Sequence, residues 1–130
     1  MGFLSNMEDR GRATKINEEA KELQAAMSKI PRRKYRQLAD AVQQEVGRMM
    51  KEEEEAVRLD RVGDLKCELD HSRELALYDM RTMDYKLIEH GVASWMVAAY
   101  WQAKLSPIKP MKSLHRQLKE MMDGLSLWNL

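Results

Sequence analysis

The chain has 130 residues, which is the size of one domain with a modest core. Charged residues make up 33% and apolar residues 44%, with 6 Gly and 3 Pro, a balance that excludes collagen-like, mucin-like and fully disordered chains. Methionine, alanine, leucine, glutamate, lysine and arginine are common whereas Phe occurs once, which favours helix throughout. The composition therefore predicts an all-α protein and indicates no specific activity.

Cys67 is the only cysteine, which excludes an intrachain disulfide and any zinc site that needs two cysteines. The first residues lack the basic region, apolar run and small-residue cleavage site of a signal peptide. The longest apolar run, residues 92–105, is shorter than the roughly 20 residues that span a bilayer. We therefore predict a cytoplasmic protein without a transmembrane segment.

The first predicted helix is amphipathic. Its apolar residues follow steps of three and four, which place them on one face. They are Ala13, Ile16, Ala20, Leu23, Met27 and Ile30. Pro31 ends or bends this helix and suits the first turn of the next one, so a second helix is predicted from near Arg32 to residue 61.

A turn is predicted at Gly63 and Asp64, because glycine caps a helix end and aspartate caps a helix start. A third helix follows over residues 64–90 and is expected to end at His90 and Gly91. The second and third helices would each be roughly 40 Å long at about 1.5 Å per residue. The prediction is an all-α bundle of four to five helices, built on this long antiparallel helical hairpin.

The fourth segment, residues 92–105, is apolar on nearly every side, which predicts a helix buried on several sides. Pro107 and Pro110 mark a linker, and a short helix ending near Gly124 precedes the tail that holds Trp128. We divide the chain into a helical bundle domain, 1–105, and a region of proline linker, short helix and C-terminal arm, 106–130.

Two interpretations of the fourth segment stay open, namely core filling and a patch that contacts another subunit. In the second interpretation the partner-binding residues are Trp95, Met96, Tyr100 and Trp101, joined by Trp128 on the C-terminal arm. The 11 methionines suit adaptable contacts as well as cores. We therefore predict a non-catalytic scaffold or adaptor that self-associates, by default as a symmetric dimer, or docks on a protein partner.

Charge is distributed unevenly along the chain. Residues 1–50 and 91–130 each have a net charge of +3, whereas residues 51–90 have −5. The most basic stretch has five cations in eight positions and no acid. They are Lys29, Arg32, Arg33, Lys34 and Arg36. This cluster suggests an alternative function, binding of the RNA or DNA backbone, although a solvated helix start or a contact with the acidic middle of a neighbouring molecule explains it equally.

Enzymatic chemistry has little support in the sequence. There is no Gly-rich phosphate loop and no Gly-x-Ser-x-Gly turn, so we predict no enzyme, no cofactor and no small-molecule substrate. Glu68 and His71 form the Glu-x-x-His spacing of helical di-iron sites, but those sites need a second such unit that this chain lacks. We predict no metal site and interpret His71 as a surface histidine.

Overall fold

A computed structural model describes residues 3–58, 62–106 and 108–123, with side chains described for residues 10–52, 71–106 and 108–123. Over these ranges the backbone forms five helices and no strand, so the predicted all-α bundle is confirmed. The helices are α1 (Phe3–Met27), α2 (Arg32–Arg58), α3 (Val62–Thr82), α4 (Tyr85–Leu105) and α5 (Lys109–Met122).

The first two helices follow the sequence pattern closely. All six apolar positions predicted for one face of α1 are buried, from Ala13 through Ile30. The helix ends at Met27, and the Tyr35 backbone N–H donates to the Pro31 carbonyl at 2.9 Å as α2 begins. Pro31 therefore lies at the N-cap of α2, directly before its first residue Arg32, where a missing backbone N–H costs no helical hydrogen bond.

The third helix ends earlier than predicted, at Thr82 rather than at residue 90. Met83 takes a left-handed backbone with φ of 61°, and Asp84 then adopts an extended conformation. The Asp84 carboxylate accepts a hydrogen bond from the Leu87 backbone N–H at 3.4 Å and so caps α4. The predicted helix over residues 64–90 is wrong because two helices meet within it.

α3 and α4 fold back on each other as an antiparallel hairpin. The Ser72 hydroxyl donates to the Ser94 hydroxyl at 2.7 Å, and Gly91 lies against Ala76, where a Cβ on the glycine would come within 3.1 Å of the Ala76 backbone. Glycine at position 91 therefore permits close helix packing inside α4. The predicted role of Gly91 as a helix end is wrong.

α4 is the centre of the bundle. It packs against α3, α2 and α5, whereas α2 and α3 scarcely contact each other directly in the described part of the chain. The hairpin of the scaffold is thus α3 with α4, instead of residues 32–61 with 64–90. The turn predicted at Gly63 is wrong as well, because Gly63 lies within α3, which begins at Val62. No helix among the described residues combines the length and apolar character needed to cross a membrane.

α5 is a strongly amphipathic helix that returns along α4. Pro110 occupies its first turn, which suits a residue without a backbone N–H. Its apolar side chains are buried against α4 and α1. They are Met111, Leu114, Leu118 and Met121. This packing leaves the opposite face of α5 in solvent.

Candidate interaction surfaces

The four predicted partner-binding residues on α4 are all buried within the single chain. Trp95 and Met96 are fully enclosed, and Tyr100 and Trp101 retain less than a tenth of their exposure. Their contacts lie within the core that α4 shares with α1, α2, α3 and α5. The chain as folded therefore offers no open surface at these positions, and Trp128 lies outside the described residues.

A buried polar contact holds Trp95 in place. The Trp95 indole N–H donates to Oε2 of Glu19 on α1 at 2.8 Å, and Glu19 is itself only 4% exposed. Lys15, one turn earlier, places its Nζ 3.9 Å from Glu19 Oε1. A buried carboxylate needs such partners because desolvation is otherwise costly. The sequence analysis missed Glu19, although its spacing of three from Ile16 and four from Leu23 places it beside the apolar stripe.

A second cluster lies where α4 packs on α5. The rings of Tyr100 and Trp101 meet edge to face at 5.3 Å, and Tyr100 lies 4.8 Å from the His115 ring. The Lys104 ammonium lies over Trp101 at 4.7 Å from the ring centroid. Burial lowers the pKa of His115, and the positive charges of Lys104 and Lys119 lower it further.

The basic cluster predicted at the start of α2 is exposed at every one of its five positions, Lys29, Arg32, Arg33, Lys34 and Arg36. No acidic residue lies in the first turn of α2, where the helix dipole adds further positive potential. Lys34 is oriented by the Tyr85 ring, with its Nζ 5.6 Å from the centroid. The cluster therefore adjoins the start of α4.

One face of α3 stays open to solvent, and we call it the α3 outer strip. Its residues are spaced three and four apart and lie on one side of the helix. They are His71, Glu74, Leu75, Tyr78 and Arg81. Tyr78 is 57% exposed and Leu75 39%, and the Arg81 guanidinium lies 5.6 Å from the Tyr78 ring centroid. The strip was not predicted, because the apolar residues of the third helix that keep steps of three and four, such as Ala76 and Met80, lie on another face.

An open groove adjoins the strip where α1 ends beside α3. Its volume is about 440 Å³, and Ala26, Ile30, Leu77 and Met80 form much of its lining. Lys29 and Arg81 contribute the cations of this groove. Its one acid, Glu22, is already engaged, since its Oε2 accepts from Arg73 Nη2 at 2.8 Å and Nε at 3.1 Å.

A polar cleft of about 300 Å³ lies between α2, α3 and α4. Arg48, which lines it from α2, bonds both Glu45 and Glu52. The hydrogen bond from Arg48 is the main cause of the lowered pKa of Glu45, to which the nearby His90 also contributes. Among the described residues no three potential ligands lie close enough to hold a metal ion, and the Glu68 side chain falls outside those residues.

Comparison with protein-family models, curated protein sequences and solved structures found no match to this chain. Over the residues that the structure describes, the fold is a five-helix bundle.

Proposed function

We propose that this protein is a non-catalytic helical scaffold that self-associates through the α3 outer strip. It rests on the exposure of Leu75 and Tyr78 on one helix face, together with the opposite charges of Glu74 and Arg81 on the same face. Exposed apolar side chains grouped on one face are typical of interaction sites, whereas scattered ones are not. The lone Cys67 is consistent with the reducing cytoplasm that we propose as its location.

The occupant that fits the strip best is a second copy of the same strip. In an antiparallel twofold pairing of two α3 helices, Leu75 of one copy faces Tyr78 of the other. The same pairing sets Glu74 within about 3 Å of axial register with Arg81 of the second copy, at about 1.5 Å rise per residue. The strip is therefore complementary to itself in both apolar content and charge.

This arrangement moves the partner contact from α4 to α3. Trp95, Tyr100 and Trp101 of α4 are enclosed in the monomer, so an apolar contact between subunits needs another face. The C-terminal arm with Trp128 stays a further candidate, because that residue lies outside the described part of the chain. The groove beside the strip, with its cations Lys29 and Arg81, extends the available contact area.

Sedimentation velocity or light scattering over a range of protein concentrations tests the proposal. Leu75→Asp should weaken self-association at least about tenfold, since a central apolar contact contributes more than about 1.4 kcal/mol. Leu105→Asp is the matched control, because Leu105 is 46% exposed but lies at the far end of α4. A chain that stays monomeric at every concentration, or a Leu75→Asp variant that associates like the unmodified chain, would refute the proposal.

A charge exchange tests the geometry of the pairing. Glu74→Arg and Arg81→Glu should each weaken association, because each sets like charges against each other across the twofold axis. The double variant should restore most of the affinity, since it recreates the pair in reverse order. Failure of the double variant to recover would argue against the antiparallel register.

The basic cluster at the start of α2 supports a second candidate function, binding of the sugar-phosphate backbone of RNA or DNA. Five exposed cations without a nearby acid in the first turn form an electrostatic site that does not depend on base sequence. Substitution of Arg32, Arg33 and Lys34 by alanine should lower the affinity for a duplex and reduce its dependence on salt. Unchanged binding by that variant would remove this cluster as the site.

A further inference from the structure

α5 has a row of cations along its solvent face. Lys109, Lys112, Arg116 and Lys119 follow steps of three, four and three, and all four side chains are exposed. None of them forms a salt bridge with another residue that the structure describes. No Asp or Glu occurs in the chain between Glu89 and Glu120. We call this row the α5 basic stripe.

The orientation of the stripe is fixed by packing on the other side of the helix. Leu114 and Leu118, like the other apolar residues of α5, are buried against α4 and α1. An amphipathic helix that binds a membrane surface needs a free apolar face to enter the boundary between headgroups and acyl chains. α5 has no such face to offer, which favours a hydrophilic polyanion over a lipid surface.

The stripe approaches the basic start of α2. Lys119 lies at a groove between α5 and α2, where Gln43 and Gly47 form the α2 side. Arg36 and Arg32 precede Gln43 by seven and eleven residues, which are two and three helical turns, so they lie on the same face of α2. Asp40, Asp123 and Glu120, which is exposed one helical turn after Arg116, interrupt this surface. Arg36 and Arg32 thus lie on the face of α2 that reaches the groove at Lys119, two and three helical turns before it.

The field of the stripe acts on a neighbouring group. Lys119 is among the charges that lower the pKa of His115, after the larger effect of burial. A lowered pKa favours the neutral form of His115, which then adds no positive charge beneath the stripe. The cations of the stripe itself are exposed to solvent.

We propose that the α5 basic stripe binds the phosphate backbone of a nucleic acid, with the start of α2 as a second anchor. From Lys109 to Lys119 the stripe is about 15 Å long at about 1.5 Å per residue, so it presents its four cations to a short stretch of a phosphate backbone. Lysine and arginine on a rigid helix neutralise such a row without reading the bases. This inference extends the nucleic-acid candidate to α5 and is independent of the α3 outer strip.

Fluorescence anisotropy with labelled duplex DNA and duplex RNA tests the stripe on the full chain. Substitution of Lys112, Arg116 and Lys119 by glutamine should lower the affinity at least about tenfold and reduce the slope of log K against log salt by about 2 to 3, at about 0.9 per phosphate contact. The matched control replaces Arg10, Lys21 and Lys51 by glutamine, because these are exposed cations away from the α5 basic stripe. It should stay within about twofold of the unmodified chain.

Three outcomes would overturn the inference: no binding to either duplex at about 50 mM salt, equal loss of affinity in the matched control, or binding to vesicles rich in phosphatidylserine but not to duplexes. Loss of binding on substitution of Arg32, Arg33 and Lys34, with binding unchanged in the α5 variant, would assign the site to α2 and also overturn the inference. Because the stripe is exposed, circular dichroism should show the same helix content in all variants. Measurement of oligomeric state in parallel keeps the result separate from self-association through α3.

Discussion

α3 and α4 are helices of 21 residues each that form one hairpin, yet they meet solvent in opposite ways. α4 holds Trp95, Tyr100 and Trp101 and buries all three, whereas α3 has no tryptophan and exposes Tyr78 and Leu75. A helix with large apolar residues on every side lies in the core, because it has no polar face to present to water. The difference teaches that an interaction face is better sought on an amphipathic helix than on the most apolar one.

The largest effect is expected from Trp95, whose burial defines the α4 side of the comparison. Trp95→Ala should lower the free energy of unfolding by about 3 to 5 kcal/mol, because it leaves a cavity and removes the hydrogen bond to buried Glu19. Urea unfolding measures the change. Tyr78→Ala, the corresponding aromatic truncation on exposed α3, should cost far less, and equal costs would contradict the assignment of α4 to the core.

A smaller effect tests the contact between the two helices. Gly91→Ala should destabilise the protein by about 1 to 3 kcal/mol, because the new Cβ meets the Ala76 backbone at 3.1 Å and backbone atoms yield little. Gly47→Ala is the matched control on α2, where a Cβ meets nothing within 4 Å. It should stabilise by up to about 1 kcal/mol through helix propensity. Thermal unfolding measures the change in stability of each variant. Changes in the same direction would contradict the close packing of Gly91 against Ala76.

A polar contact on the other side of α3 should matter less. Arg73 donates two hydrogen bonds to Glu22 on α1, and this contact is the first cause of the raised pKa of Arg73. Both side chains are partly exposed, so a double-mutant cycle with Arg73→Gln and Glu22→Gln should give a coupling of about 0.2 to 1 kcal/mol. A coupling several times larger would show that α3 is held by charge more than by its apolar contact with α4.

The smallest effect is the pH dependence of stability that comes from His115, where α5 packs on α4. The pKa of His115 in the folded chain lies below 6.5, so above pH 6.5 the residue is neutral in both states and its contribution to stability is unaffected. As pH falls through 6.5 the unfolded chain takes up the proton first, and stability decreases until the pH passes below the folded pKa. His115→Gln should remove this part of the pH dependence. The same pH dependence of stability in the unmodified protein and in His115→Gln would contradict the buried setting of His115.

Much of the fold could be predicted from the sequence because periodicity reports burial directly. The stripe from Ala13 to Ile30 and the break at Pro31 are both confirmed. The junction at Met83 and Asp84 was missed because Met80, Met83 and Leu87 keep the spacing of three and four across it. Spacing alone does not distinguish a continuous helix from two that meet at a left-handed residue, and Leu87 is in fact 50% exposed.

The candidate surfaces were less predictable, since exposure depends on which helices become neighbours. The exposed basic cluster at the start of α2 follows from local charge, which keeps lysine and arginine in solvent. The open face of α3 does not, because the spacing of Leu75 and Tyr78 along the helix does not determine which neighbouring helix, if any, covers them. α4 lies beside both α2 and α3, and that placement depends on contacts far apart in the chain.

The corner at Met83 has a chemical consequence. Met83 is 42% exposed, while Met27, Met96 and Met111 are fully enclosed. Peroxide should therefore convert Met83 to the sulfoxide well before those three, and mass spectrometry of peptides would reveal the order. A polar, bulkier sulfoxide at this bend would adjoin the groove at the end of α1, so oxidation would act beside the strip that we propose for self-association rather than in the interior.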